Sequence, residues 1–210
     1  MEDSSNRARD GAGRCPDAFS VDRAFFCRDP REVARDLLGA MLVNGPVIGR
    51  IVETEAYLSE GDPAAHAYRG RTKRTEVLFG PPGYAYVFRT RQHCCLNVVA
   101  EEVDVPGCVL IRAVAPVAGI DVMRDRRRGL ADTQLTNGPA KLCQAFDIDI
   151  RHYGVDLCDG AGLHLEEGQA LDVSNVVTGP RVGVGAATIA PWRYYVASDP
   201  FVSRGRSGAG

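Results

Sequence analysis

At 210 residues, with 45% hydrophobic and 25% charged positions, the chain has the composition expected of one soluble globular domain with a substantial core. A formal net charge of −2 does not single out a polyanionic partner, and no apolar run of 18 or more residues or signal-peptide pattern points to a membrane or to export. Seven cysteines (Cys15, Cys27, Cys94, Cys95, Cys108, Cys143 and Cys158) lack the C-x-x-C spacing of a zinc or redox centre, so buried thiols in a reducing cytosol are expected.

Residues 1–16 (MEDSSNRARDGAGRCP) are polar and lack an apolar period, which predicts a disordered tail ahead of a domain over 17–203; residues 204–210 read the same way. Asp29 and Pro30 before REVARDLL, with Gly39 behind, supply an N-cap, a proline at the first helical position and a terminating glycine. They predict a helix of about eight or nine residues, followed by strands at 40–43 and 47–58. Residues 59–83 form a long connection with His66, the basic run YRGRTKR (68–74) and the turn FGPPG (79–83), and loops of that length tend to serve function. YAYVFR (84–89) and HCCLNVV (93–99) read as a hairpin with a polar tip at Thr90–Gln92. CVLIRAVAP (108–116) is an apolar strand broken by one charge, Arg112. Helices are predicted over 117–128 and 136–146, the second opened by Thr136 or Asn137 near Pro139, and strands at 163–166, 181–184 and 192–196. The sum is one α+β domain with a mostly antiparallel sheet.

The stretch best suited to chemistry is IVETEAYLSEGDPAAH, 51–66. Strict alternation places Ile51, Glu53, Glu55 and Tyr57 on one strand face and Val52, Thr54, Ala56 and Leu58 on the apolar other. Two carboxylates about 6–7 Å apart at their Cα atoms resist joint ionisation, so one is expected to titrate high and to act as a base near neutral pH. The competing reading is a solvated pair on an edge strand. Arg112 has to be paired or exposed, and if it faces inward a carboxylate such as Glu55 is its natural bidentate partner. Asn97 either makes a cross-strand bond or reads the polar edge of a ligand. His66 alone would be a loop anchor; its place directly after the carboxylate strand favours a role in a site. Of the 25 basic residues all but Lys73 and Lys141 are Arg, a bias that base composition explains as well as phosphate recognition does. The basic runs 69–74 and 124–128 are solvated faces by themselves. With Tyr57, Tyr68, Tyr84, Tyr86 and Phe88 they could instead frame a phosphate-binding rim around a stacking pocket, although a hydrophobic stripe explains the last three equally.

Taken in order, ETEAY, AAH, GPPG with YVF, CCLNV, CVLIRA, NGPAKLCQA and RVGVG form a series, and the chain resembles the alkyladenine (3-methyladenine) DNA glycosylase family over nearly all of residues 29–202. The resemblance implies a single mixed α/β domain with a curved, mostly antiparallel sheet, flanking helices and a protruding β-hairpin. It implies hydrolysis of the N-glycosidic bond of alkylated or deaminated purines (3-methyladenine, hypoxanthine, ethenoadenine, 7-methylguanine) in duplex DNA, the opening step of base excision repair. A monomer suffices, no metal or organic cofactor is implied, and the enzyme would work in the bacterial cytoplasm or the nucleus. Carried over, Glu55 matches the general base, while Arg112 and the backbone carbonyl of Val182 match further contacts to the nucleophilic water. Tyr57, His66 and Phe88 match the side chains that sandwich the flipped base, Phe88 standing where many members have Tyr. Asn97 matches the residue that would clash with the 2-amino group of guanine. His66 is also a candidate proton donor to neutral lesions, and since neither lysine lies in a catalytic motif, no Schiff-base lyase step is expected.

One stretch departs from the family. Residues 86–97, YVFRTRQHCCLN, are one residue shorter than the family's hairpin and lack the tip tyrosine that wedges into the DNA stack. Arg91 or Gln92 is expected to fill that gap, with Arg89 and Arg71 against the backbone. Two other readings compete: an O-glycoside hydrolase using Glu53 and Glu55, and a non-catalytic nucleic-acid binder built on the arginine loops. The first is weakened because both carboxylates share one strand, whereas such pairs flank the scissile bond, and because Trp192 is the lone Trp.

Overall fold

The computed structural model describes residues 21–90, 92–169, 171–185 and 189–203; the expectations for 1–16, for Arg91 and for 204–210 lie outside them. A single-turn helix not anticipated from the sequence, α1 (Arg23–Phe26), is capped by Asp22, which accepts from the Phe25 N–H at 3.0 Å. Asp29 caps α2 (Pro30–Asp36) in the same way, at 2.8 Å from the Arg31 N–H. Gly39 then turns the chain at φ +93°, where a Cβ would lie 2.3 Å from the Gln169 carbonyl oxygen.

Eight strands follow among the described residues: β1 (Met41–Asn44), β2 (Val47–Tyr57), β3 (Ala85–Thr90), β4 (His93–Ala100), β5 (Gly107–Ala118), β6 (Leu163–Glu166), β7 (Val176–Gly179) and β8 (Arg193–Val196). They form one sheet in the order β3-β4-β5-β2-β1-β6, with β8 paired to residues 53–55 of β2 and β7 paired to β8, every pairing antiparallel. The fold is thus a single α+β domain around an open antiparallel sheet. Residues 59–83 are less irregular than expected, carrying 3-10 turns at His66–Arg69 and Glu76–Phe79.

Three expectations are corrected. Residues 181–184 form a loop, because the two left-handed glycines of RVGVG, Gly183 and Gly185, break strand geometry. Strand β7 escaped notice because VVTG sits between turn formers. The helix expected over 117–128 is only α3 (Ile120–Arg126), since β5 runs on to Ala118 and Gly119 at φ +69° makes the break. The helix α4 (Pro139–Phe146) starts after Gly138, not at a polar cap. The hydroxyl of Thr136 donates instead to the Val114 carbonyl at 2.6 Å, and Asn137 accepts from Lys141 at 2.7 Å.

Helices α2 and α4 cover one face of the sheet, where Val33, Leu37, Leu142 and Phe146 pack on Ile51, Val109 and Ile111. Alternate residues of the same strands build an aromatic cluster on the opposite face, with Leu78, Tyr86 and Val99 buried and Tyr57 and Phe88 beside them. Between β2 and β5 the register slips three times, once at Ile48–Gly49 and twice beside the glutamates: Ile51 faces Val114, Glu53 faces Ala113 and Thr54 faces Ile111, which leaves Val52 and Arg112 as the extra residues of the last two. These bulges break the period of two. Ile51 joins the main core, while Val52 packs with Ala113 and Ala115 in a separate cluster. Ile51 therefore does not share a face with the glutamates, and Arg112 is swung toward them.

Candidate active site

Far from lying on a wet edge, β2 is an interior strand, and Glu53 and Glu55 have no exposed surface. A carboxylate enclosed this way needs partners on each oxygen. Glu53 accepts from Arg193 Nε at 2.7 Å, the Ser203 hydroxyl at 2.8 Å, Arg112 Nε at 3.0 Å and the Ser203 N–H at 2.6 Å. Glu55 accepts from the Val182 N–H at 2.7 Å on Oε1 and from the Tyr57 hydroxyl at 2.9 Å on Oε2, which also lies 3.2 Å from Arg112 Nη1. Arg112 is therefore shared: it bridges both glutamates instead of serving Glu55 alone.

Burial drives the Glu55 carboxyl above its ordinary pKa, Arg112, the Val182 N–H and the Tyr57 hydroxyl pull it back, and Glu53 adds a smaller upward push. The raised carboxyl foreseen from like-charge repulsion thus owes more to desolvation. Burial likewise opposes the charge on Arg112, but Glu55 and Glu53 more than offset it and the net shift is upward.

A cleft of about 370 Å³ opens onto this group, within the size range of small-molecule sites. Tyr57, Arg112 and Val182, the three residues that hold Glu55, line it together with His66, Phe88 and Asn97. Asn97 sits opposite Tyr86 across the hairpin and donates from Nδ2 to its carbonyl at 3.0 Å. Asn97 thus makes the cross-strand bond and also lines the cleft.

The His66 ring stands edge-on to Phe88 with centroids 4.4 Å apart. Its Nδ1 lies 2.8 Å from the Tyr86 hydroxyl and its Nε2 3.3 Å from an Arg74 guanidinium nitrogen. Arginine only donates, so Nε2 accepts and the single ring proton belongs on Nδ1, toward Tyr86. Desolvation on the protein side, then the Arg74 charge, lower the pKa to about 4. The hydrogen bonds and the lowered pKa both describe a neutral ring. The one ring proton of His66 is thus engaged by Tyr86, and no imidazolium stands ready in this geometry for the donor role considered for it.

The basic residues divide. Arg124 is tied to Asp121 and Asp132 at 2.6 and 2.7 Å, Arg126 to the Ala145 carbonyl at 2.9 Å, and Arg127 to Gln144. That run braces α3 against α4 and does not form a rim. Arg71 is exposed but paired with Asp104 and Glu76, and it covers the Phe79 ring at 4.5 Å. Lys73, Arg74 and Arg89 instead line a groove with Phe88 and Tyr153 beside the hairpin. Its two strands pair from Ala85 with Val98 to Thr90 with His93, and Gln92 is exposed at the tip.

Sequence reasoning missed Arg193, Ser203 and the pair Asp62–Arg181, both members of which are buried. Asp62 fell in the long connection 59–83 and Arg181 at the start of a predicted strand; nothing local marked either as a partner. Among the described residues no group of three or more His, Cys, Asp or Glu side chains is placed to hold a metal, and no helix is long and apolar enough to cross a membrane.

Comparison with known proteins adds a family. A family model described as methylpurine-DNA glycosylase matches residues 24–200. A protein of Carboxydothermus hydrogenoformans named "Putative 3-methyladenine DNA glycosylase" is 46% identical over 189 residues, covering 88% of this chain and 98% of that protein. Proteins with the same name from Rhodopseudomonas palustris (strain BisB18) and Methanocella arvoryzae are 47% and 43% identical, covering 88% of this chain and 90% and 96% of their own.

Proposed function

The chain belongs to the methylpurine-DNA glycosylase family, hydrolases of the N-glycosidic bond, and from that premise we propose that it extrudes alkylated purines, 3-methyladenine foremost, from duplex DNA and releases them with a water activated by Glu55. One observation carries this reading: the fully buried Glu55 carboxylate is held by Tyr57, Arg112 and Val182, and those same three residues line the cleft.

The chemistry follows from what the bond requires. Its cleavage builds positive charge on the sugar, and water arrives opposite the leaving base. An ionised Glu55 takes the proton of that water and stabilises the developing cation. A carboxylate offers about four acceptor sites; Val182, Tyr57 and Arg112 occupy three, leaving one for the water. Alkylation at N3 or N7 makes the base cationic and already a good leaving group, and the rings of Tyr57 and Phe88 favour such a cation. Extrusion is needed because the bond is shielded in the duplex, and damaged bases unstack at lower cost. The protein acts as a monomer and uses no lyase step.

The test is an excision panel: purified protein with duplexes containing 3-methyladenine, 7-methylguanine, hypoxanthine or ethenoadenine. Release of 3-methyladenine supports the proposal; release of none of the four refutes it.

A further inference from the structure

Two loops contribute to the lining of the cleft, 58–66 after β2 and 181–185 ahead of β8, and a buried ion pair joins them. Arg181 donates to the two oxygens of Asp62 at 2.6 and 2.7 Å and to the Ala56 carbonyl at 2.9 Å. Neither side chain of the pair has exposed surface. The guanidinium lies 4.5 Å from the Tyr57 ring centre and 4.9 Å from that of Trp192. Asp62 is itself fixed, accepting from the backbone N–H groups of Leu58 and Ala64 at 3.2 and 3.1 Å.

The residue after Arg181 is Val182, whose N–H meets Glu55 at 2.7 Å. Past that amide the chain passes through Gly183 and Gly185, both at positive φ, so the downstream side offers little stiffness. The upstream anchor, one peptide away, is a planar fork with two partners. We propose that Arg181, gripped by Asp62, is a positioning residue that presents the Val182 N–H to Glu55 and so aims the carboxylate. The role rests on Glu55 acting as the base. It assigns the arginine of RVGVG a task distinct from that of the valine beside it.

A merely structural clasp and a positioning device differ in what they do to proton affinity. An amide donating to a carboxylate favours its ionised form, so losing that bond raises the carboxyl's pKa. The other charged or titratable groups about Glu55 are Glu53 and Tyr57 on its own strand, Arg112 on β5, Cys95 on β4, Arg193 on β8 through Glu53, and Arg181 itself. Arg181→Lys leaves this charge set unaltered while removing the fork.

The experiment measures single-turnover release of 3-methyladenine from alkylated duplex DNA between pH 5 and 9. It compares wild type, Arg181→Lys, the apolar double variant Asp62→Leu/Arg181→Met, and Glu55→Gln, with binding to an abasic-analogue duplex measured in parallel. The double variant guards against misfolding of the first, because a buried pair replaced by apolar side chains often costs no stability. The expected result is a rate about 10- to 100-fold lower in a folded variant, the usual range for a lost hydrogen bond to a charged group. The acid limb of the profile moves to higher pH and binding changes less than about threefold, because only the aim of Glu55 is disturbed. An unchanged rate and an unmoved acid limb overturn the proposal, and so does a loss of binding as large as the loss of rate. Failure of both variants to fold overturns it too, since the pair would then be holding up the domain. If Glu55→Gln retains normal release, the catalytic reading itself has failed; if Glu55→Gln is inactive while Arg181→Lys matches wild type, only the positioning role has.

Discussion

Glu53 and Arg112 meet at 3.0 Å inside the sheet, both buried, and join the two strands that carry the site. Arg193 and Ser203 converge on the same carboxylate. Removing one member of a buried charge cluster costs about 3–5 kcal/mol, because the others are left desolvated. Glu53→Gln is therefore expected to lower the melting temperature by roughly 10 °C in a domain of this size. It should also slow excision, since Arg112 loses one of its two carboxylates. A thermal scan reads the first effect; a shift of less than about 2 °C would contradict the account.

Asn97 is held across the hairpin by the Tyr86 carbonyl, so its carboxamide cannot swing out of the cleft wall. Asn97→Ala is expected to admit guanine: its release from undamaged duplex should rise roughly tenfold, the scale of one pocket contact. Release of 3-methyladenine should change much less. Counting both bases from the same digests checks this, and no rise in guanine release would refute it.

His66 is predicted to stay neutral through the assay range. Its pKa is lowered to about 4, so the protonated form appears only as pH falls through that value and is absent from pH 5.5 to 8. Its imidazole NMR signals should accordingly be flat over that window. Arg74→Met removes the donor at Nε2 and a neighbouring charge, which should move the midpoint up, while desolvation, the larger cause, keeps it below the ordinary value of about 6.5. Excision of hypoxanthine by that variant should then rise toward the acid end of the range, where a neutral lesion gains an acid. A wild-type midpoint near 6.5 would contradict the hydrogen-bond assignment.

What could be read in advance was local. The Asp29–Pro30 start of α2, the two-strand hairpin and the charge inside CVLIRAV each announce themselves within a dozen residues. Glu55 could be named as a partner for that charge, but the other long-range pairings could not. Asp62 and Arg181 stand 119 residues apart, and Glu53 and Ser203 150 apart, with no periodicity linking them. The double bulge that frees Arg112 was equally hidden, because a period of two carries no mark of where it slips. Roles for Glu55, Tyr57 and Val182 came from resemblance to a family, while composition pointed elsewhere. A net charge of −2 concealed the basic groove of Lys73, Arg74 and Arg89, because many other arginines are paired with acids.

The short hairpin gives a separate prediction. On the proposed extrusion, and with no tyrosine at the tip, a planar side chain there would fill the gap left by the base; the alternative is a less efficient flipper limited to weakly stacked lesions. Gln92→Ala or Arg91→Ala is expected to lower excision about tenfold, near the scale of one lost stacking contact. Steady-state excision of each variant is the check; unchanged rates in both would remove these residues from the role.

The central claim is tested most directly by Glu55→Gln, which keeps the shape of the side chain and removes its charge. In single-turnover assays on alkylated duplex DNA, release of 3-methyladenine should fall by at least about a thousandfold, on the scale of a lost general base. Binding to an abasic-analogue duplex should stay within about threefold of wild type, since no cleft-lining side chain has changed. Release within about tenfold of wild type would contradict the assignment of Glu55 as the base.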